Sequence, residues 1–148
     1  MFRQPAGLIF LMAQNLIEMN NLQIIQQMYQ DFEEKNMAAV LNCFDKDVVW
    51  IRPGEPGIPF SGIYNGIDEV VKMFTIVSQT VKINSFNKSR ILADDEVVAV
   101  IGADMADVIA TGKSYKSEWV YLYTLKNEKI VHVQVYIDTL ELTKAFQP

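Results

Sequence analysis

The chain has 148 residues, of which 50% are apolar and 21% are charged, as in a single globular domain and unlike a disordered chain. Its net charge of −5 repels phosphate backbones and anionic lipids, and no lysine or arginine run offsets it, so we predict no nucleic-acid partner. The single cysteine cannot form an internal disulfide, and one histidine is too few for a zinc cluster. These features predict a cytoplasmic protein with no metal and no other cofactor.

The first 19 residues are predicted to form an N-terminal tail, followed by a single domain at residues 20–148. The tail contains a short apolar run at residues 6–13. This run lacks the long core of a signal peptide, and no clear cleavage site follows it. No run of about 18 apolar residues occurs, so the sequence predicts no membrane span.

The first half of the domain is predicted to be mainly helical. Asn20 and Asn36 are each placed to cap a helix, because apolar residues follow both at helical spacing. Residues 47–51 are β-branched and aromatic and predict a strand. Residues 52–66 are rich in proline and glycine and predict an ordered loop, after which a third helix begins at Ile67.

The second half is predicted to be an antiparallel meander. Its apolar residues change to strand-like alternation in four segments with short polar connections, at residues 81–92, 97–109, 114–125 and 129–137. Asp138 then resembles the N-cap of a short C-terminal helix that ends near Phe146. The predicted fold class is α+β, with three N-terminal helices packed on a curved antiparallel sheet.

The third strand of the meander carries large apolar residues on both faces. Trp119, Tyr121 and Tyr123 share one face, and Glu118 and Val120 share the other. One face must meet the helices, and the other must meet something else, most simply a second copy of the chain. We predict a homodimer through the aromatic face, since monomers rarely expose such patches.

Five segments carry a resemblance to a known family. They are 37–44 (MAAVLNCF), 49–50 (VW), 58–66 (IPFSGIYNG), 129–130 (KI) and 136–139 (YIDT). Together with the order of elements over residues 20–146, they resemble the nuclear transport factor two-like superfamily, and most closely its SnoaL-like and ketosteroid isomerase-related members. The resemblance implies a cone-shaped fold around an apolar pocket. It also implies a wide range of activities, from isomerases, dehydratases, hydrolases and cyclases to proteins without catalysis.

The active-site groups of true ketosteroid isomerases are missing from this chain. The resemblance puts Met28 near the family's helix-one tyrosine, Arg52 at its general-base aspartate and Val120 at its oxyanion-hole acid. Without the base and the two donors, no dienolate can be formed and stabilised. The resemblance therefore argues against steroid isomerisation.

The register that the resemblance gives to the first strand points Trp50 and Arg52 into the cone, because alternate residues of a strand share a face. The same resemblance turns the Glu118 face of the third meander strand inward. A buried guanidinium needs an anion, so Arg52 is predicted to contact Glu118 or Asp104, or a carboxylate on a ligand. A satisfied ion pair without catalytic function, or a position at a solvent-facing mouth, explains Arg52 equally well. The residues predicted to line the pocket are Trp50, Phe60, Tyr64, Met73, Phe74 and Val120. Residues of these types are also typical of a plain core.

Asp138 is a further candidate, because the resemblance implies an acid/base aspartate late in the fold of SnoaL-like cyclases. However, alternation along the last strand turns Asp138 outward, and an N-cap function explains it fully. The same alternation puts His132, the sole histidine, on the outer face. Cys43 has no basic neighbour in sequence and is predicted to be buried and inert.

The sequence thus predicts a pocket protein for a small, largely apolar molecule. If the chain is an enzyme, it is predicted to catalyse cofactor-free isomerisation, cyclisation or dehydration with Asp104, Glu118 or Asp138 as acid or base. The alternative is a non-catalytic ligand-binding or dimerisation module whose interior is filled by side chains. A solvent-connected cavity with a carboxylate near Arg52 favours the first reading, and a closed, packed core favours the second.

Overall fold

A computed structural model of the chain describes residues 18–148. Apart from its last two residues, the predicted tail at residues 1–19 lies outside this part. The elements in chain order are helices α1 (Asn21–Glu33) and α2 (Met37–Asn42), strands β1 (Phe44–Arg52) and β2 (Gly62–Asn65), helix α3 (Ile67–Thr80), strands β3 (Val81–Ala93), β4 (Val97–Val108), β5 (Ser114–Lys126) and β6 (Lys129–Ile137), and helix α4 (Thr139–Phe146). This order confirms the predicted α+β fold class.

Both predicted N-terminal caps are present. The Asn20 side chain accepts a hydrogen bond from the Gln23 backbone N–H at 2.9 Å, and the Gln23 side chain accepts one from the Asn20 backbone at 2.9 Å. This reciprocal pair is a capping box. Asn36 accepts from the Ala39 backbone N–H and begins α2. The caps fix where α1 and α2 begin, and α1 buries one stripe formed by Ile24, Ile25, Met28 and Tyr29.

The strands form one curved, unclosed sheet in the order β2-β1-β6-β5-β4-β3. Strands β3 to β6 pair as the predicted antiparallel meander. β1 lies parallel to β6, and β2 pairs antiparallel with β1. β2 falls inside the segment that was predicted to be only a loop, because four residues that begin with a glycine are too few to show a strand period. Helix α1 packs on β3 and β4, α3 on β1 and β2, and α4 on β5.

One face of the sheet is buried beneath the chain's own helices, and we call it the inner face. On β1 it carries Val48, Trp50 and Arg52, and on β4 it carries the predicted Asp104. The space between this face and the helices is called the interior. The outer face carries residues that are half-buried or exposed.

The prediction for the two faces of β5 is wrong. Trp119, Tyr121 and Tyr123 lie on the inner face and are 2%, 7% and 3% exposed, whereas Glu118 is exposed and Val120 half-buried on the outer face. The physical reason is that burying three aromatic rings removes far more apolar area from water, while burying Glu118 requires an ion to lose its hydration. The three rings therefore do not form the predicted dimer contact.

Gly102 on β4 makes room for the Trp119 ring. A Cβ atom at this position would lie 2.3 Å from Cη2 of Trp119 and 2.4 Å from the backbone carbonyl oxygen of Asn87. The Trp119 ring also stacks on Phe86, with the ring centroids 4.7 Å apart. The indole is therefore held between a neighbouring ring and a bare backbone.

Gly102→Ala is expected to lower the free energy of unfolding by about 2 kcal/mol, because the added methyl group overpacks a site bounded partly by backbone. Urea unfolding measures the effect. Gly57→Ala is the matched control, since a Cβ there meets nothing within 4 Å. Equal stability of the two variants would contradict the close packing of Trp119 on β4.

Candidate functional site

Arg52 is a buried cation on the inner face of β1, as predicted. Its side chain is 8% exposed, and Nη1 donates a hydrogen bond to the Tyr121 hydroxyl at 3.0 Å. The guanidinium carbon lies 4.8 Å from the centre of the Phe60 ring. No carboxylate oxygen of residues 18–148 lies within 4.0 Å of it, and Nε has no hydrogen-bond partner there. Arg52 is thus held by a phenol and a ring face, and the predicted direct contact with Glu118 or Asp104 is not formed.

Asp104 is the carboxylate that the fold brings toward Arg52. It lies on the inner face of β4 opposite Ser117 of β5 and is 6% exposed. Burial raises the pKa of Asp104 to about 6, and the positive charge of Arg52 counteracts this effect only in part. Oδ1 has no hydrogen-bond partner within the described part of the chain. A carboxyl that titrates this close to neutral pH can either take or give a proton.

Four buried tyrosines, Tyr29, Tyr115, Tyr121 and Tyr123, lie on the same side of the sheet as this pair. None of them was predicted to be part of the site. Tyr29 and Tyr123 share a hydrogen bond of 2.8 Å between their hydroxyl groups. Burial raises the pKa of Tyr115, and the negative charge of Asp104 raises it further. Burial also raises the pKa values of Tyr29 and Tyr123, so these phenols stay protonated at neutral pH. The alternating aromatic residues of β5 were the available signal, but they were assigned to the wrong face.

Both tryptophans of the chain have indole N–H groups in the interior without an acceptor among residues 18–148. The Trp50 ring contacts Tyr121 edge-on at 6.1 Å between ring centroids, and the Trp119 ring does so at 5.0 Å. Trp50 also packs against Phe44 and Phe74, at 5.8 and 5.4 Å. Both tryptophan rings therefore contact the ring of Tyr121, whose hydroxyl accepts the hydrogen bond from Arg52.

The predicted lining residues divide into three groups. Trp50, Phe60 and Met73 are buried in the core. Tyr64 and Phe74 are partly buried and pack against it. Val120 is the exception, since it lies on the outer face for the reason given above for β5.

Glu118 and Asp138 lie outside the interior. Glu118 is exposed, which corrects the prediction that it points toward Arg52. Asp138 is also exposed, and its side chain accepts a hydrogen bond from the Glu141 backbone N–H at 3.1 Å, which makes it the N-cap of α4. His132 and Cys43 are half-buried, and burial raises the pKa of the Cys43 thiol.

The cap explains Asp138 without any catalytic function, and a pair of variants tests this. Asp138→Ala is expected to lower the free energy of unfolding by about 1 kcal/mol. Asp138→Asn keeps an accepting oxygen and is expected to retain most of the stability that the cap contributes. Thermal unfolding measures both. Equal losses in the two variants would show that the charge, and not the cap, is what the fold needs.

Two surface clefts are described, and neither is lined by Arg52 or Asp104. The first, about 660 Å³, lies between residues 55–58 and α4 and is lined in part by Ile58 and Phe146. The second, about 610 Å³, lies on the outer face beside Tyr136. Phe60 lies between the first cleft and the interior. Its ring contacts Phe146, which lines that cleft, at 5.6 Å between centroids, and it also contacts the Arg52 guanidinium.

Two further properties concern the described residues only. Among residues 18–148, no three His, Cys, Asp or Glu side chains gather into a group that could hold a metal ion. Within the same range, no helix combines the length and the apolar character needed to cross a membrane.

Comparisons with known proteins agree with this architecture. A model of the SnoaL-like domain family matches residues 25–133. An NTF2-like protein from Burkholderia xenovorans LB400 is 27% identical, with 86% of this chain and 95% of that chain covered and a TM-score of 0.77. A comparison with curated proteins gives no match.

Two more distant structures share the fold and carry provisional names. An isomerase from Rhodopseudomonas palustris is 13% identical, with 88% of this chain and 97% of that chain covered and a TM-score of 0.70. A SnoaL-like polyketide cyclase from Mesorhizobium loti is 17% identical, with 80% and 99% covered and a TM-score of 0.69.

Proposed function

This chain belongs to the SnoaL-like domain family, and we propose that its interior binds a small, largely apolar molecule through a polar group that meets Arg52. The observation that carries the proposal is the pair of buried charged side chains, Arg52 and Asp104, each with an unpartnered atom. Buried polar atoms are normally hydrogen-bonded, and a buried charge without a direct partner lowers stability. Such a pair in an aromatic interior is best explained by a ligand that supplies the missing partners.

Asp104 is the group proposed to move a proton if the chain is an enzyme. Its carboxylate would take a proton from a carbon next to a carbonyl group, and the negative charge that develops on the carbonyl oxygen would be stabilised by Arg52. Returning the proton elsewhere on the same molecule gives isomerisation, whereas passing it to a hydroxyl group on the next carbon, which then leaves as water, gives dehydration. The provisional names isomerase and polyketide cyclase of two structural neighbours agree with this class of chemistry.

Native mass spectrometry of the purified protein tests the proposal directly. A co-purified small molecule is expected on the unmodified chain and is expected to be lost from Arg52→Met. Arg90→Met is the matched control, because Arg90 is an exposed cation on β3. An adduct that survives Arg52→Met unchanged would place the ligand elsewhere.

The alternative is a module without catalysis whose interior stays filled by side chains. It is favoured by one observation, namely that neither described cleft is lined by Arg52 or Asp104. Acrylamide quenching of Trp50 fluorescence, measured in Trp119→Phe, separates the two functions, since Trp50 is buried in the interior and lines neither described cleft, whereas Trp119 also borders the second cleft. Efficient quenching favours an interior that opens to small molecules, and protection as strong as that of a closed core favours the alternative.

A homodimer remains part of the proposal, with a corrected contact surface. The outer face presents exposed apolar side chains, and Met105 and Tyr136 are 45% and 56% exposed. Lys116 and Glu118 lie two residues apart on β5 of this face. A two-fold axis can therefore place Lys116 of one copy opposite Glu118 of the other. A second copy of the chain would cover this apolar surface.

Tyr136→Glu is expected to shift the protein from dimer to monomer, because it places a charge in the centre of the proposed contact. Light scattering coupled to gel filtration measures the mass in solution. Leu140→Glu is the matched control, since Leu140 is 62% exposed but lies on α4, away from this face. The unmodified protein running as a monomer at micromolar concentration would refute the dimer.

A further inference from the structure

Among the unpartnered polar atoms of the interior, hydrogen-bond donors outnumber acceptors. Three of them are donors, Trp50 Nε1, Arg52 Nε and Trp119 Nε1, and one is an acceptor, Asp104 Oδ1. An indole N–H and a guanidinium N–H can donate a hydrogen bond but cannot accept one. A ligand that satisfies this interior must therefore bring more acceptor atoms than donor atoms.

The three donors are grouped around one side chain. Arg52 donates to the Tyr121 hydroxyl, and the rings of Trp50 and Trp119 meet the Tyr121 ring nearly perpendicularly, at 77° and 84°. Each donor-bearing residue is thus a direct neighbour of Tyr121.

Trp119 is also held in one position, so its N–H is a pre-organised donor. The ring stacks on Phe86 at an interplanar angle of 18°, and Gly102 leaves no space for it to shift toward the backbone. A donor fixed in this way needs no reordering when it meets an acceptor, which favours binding. The packing of Phe86 and Gly102 around Trp119 therefore positions a hydrogen-bond donor as well as filling the core.

On the basis of the proposed function, we infer that the molecule bound in the interior is an organic acid that binds as its anion, with oxygen atoms that accept from Arg52 and from the two indole N–H groups. A carboxylate has two oxygens and no donor, so it matches three donors better than any neutral group of the same size. An alcohol brings only one acceptor atom for the three donors, a protonated amine brings none, and a hydrocarbon leaves every donor unpartnered.

The test uses two sizes of non-aromatic probe, each as an acid and as its amide: cyclohexanecarboxylate with cyclohexanecarboxamide, and adamantane-1-carboxylate with its amide. Titration calorimetry with the full chain gives each dissociation constant. We expect the carboxylate of a pair to bind at least about tenfold more tightly than the amide, which corresponds to about 1.4 kcal/mol. This ratio should fall severalfold in Trp119→Phe, which keeps a ring but removes the donor.

Phe44→Leu is the matched control, because it changes a ring that contacts Trp50 without removing a donor. It is expected to leave the ratio unchanged. Arg52→Lys keeps the positive charge but loses the two-pronged guanidinium, and it is expected to retain part of the preference for the acid over the amide. The test therefore does not depend on the folding of Arg52→Met.

The outcomes separate the inference from the proposed function. Amides that bind as tightly as the acids would overturn the organic acid while leaving the interior as a binding site. If no probe binds at millimolar concentration and no ligand co-purifies, both the inference and the proposed function fail. A ratio that is unchanged in Trp119→Phe would remove the indole from the site.

Discussion

Arg52→Met is expected to lower the free energy of unfolding by about 3 kcal/mol at pH 7.5. The variant removes the group that donates a hydrogen bond to the Tyr121 hydroxyl, and it removes the cation that stacks on Phe60. It also leaves the buried Asp104 without a compensating charge. Urea unfolding followed by far-ultraviolet circular dichroism gives the value. Arg90→Met, at an exposed position, is expected to stay within about 0.5 kcal/mol of the unmodified protein.

The double variant Arg52→Met/Asp104→Asn tests why stability is lost. If the uncompensated carboxylate is responsible, neutralising it should restore much of the loss, and the two substitutions should be far from additive. Additive effects would instead assign the loss to the contacts of Arg52 with Tyr121 and Phe60. A loss below about 0.5 kcal/mol in Arg52→Met would show that water reaches both groups.

The second large effect is a pH dependence caused by Asp104. Burial raises its folded-state pKa from 3.8 to about 6, so between these values the folded chain holds a proton that the unfolded chain releases. Stability therefore falls as the pH rises from about 4 to about 6, and this contribution stays constant above that range. A shift of about two pKa units corresponds to about 3 kcal/mol.

Asp104→Asn isolates this contribution, because an amide does not titrate in the range. The difference in unfolding free energy between the unmodified protein and the variant should decrease by up to about 3 kcal/mol from pH 4 to pH 7. Asp107→Asn is a control of opposite sign, because a hydrogen bond from Ser114 lowers the pKa of Asp107, so that its contribution is lost as the pH falls. A difference for Asp104→Asn that does not change with pH would show that this carboxyl is ionised at little cost.

Sequence patterns predicted those parts of the fold that depend on local physics. The caps at Asn20, Asn36 and Asp138 were predictable because a side-chain oxygen satisfies backbone N–H groups within three residues. Short polar turns likewise indicated the meander. The β2 strand was missed because it is formed only by pairing with β1, which is not encoded in its own four residues.

The candidate site was predicted in part for the same reason. The family resemblance, combined with alternation along β1, placed Arg52 correctly; alternation alone could not, since Val49 and Ile51 make the other face of that strand apolar as well. On β5, both faces carry large apolar residues, so alternation could group Trp119 with Tyr121 but could not say which side meets the helices. That choice depends on ring contacts with residues distant in sequence, such as Tyr29 and Phe86.

Within residues 18–148, the strand β3 forms one edge of the sheet, and its irregular pairing limits how the chain can associate. Its register with β4 shifts twice, between Ile83 and Ser85 and between Lys88 and Arg90. Each bulge breaks the straight row of N–H and C=O groups that a foreign strand would need, and the cationic side chains repel an identical edge. Open-ended growth from chain to chain along the hydrogen-bonding direction is therefore disfavoured, and association is left to the faces of the sheet.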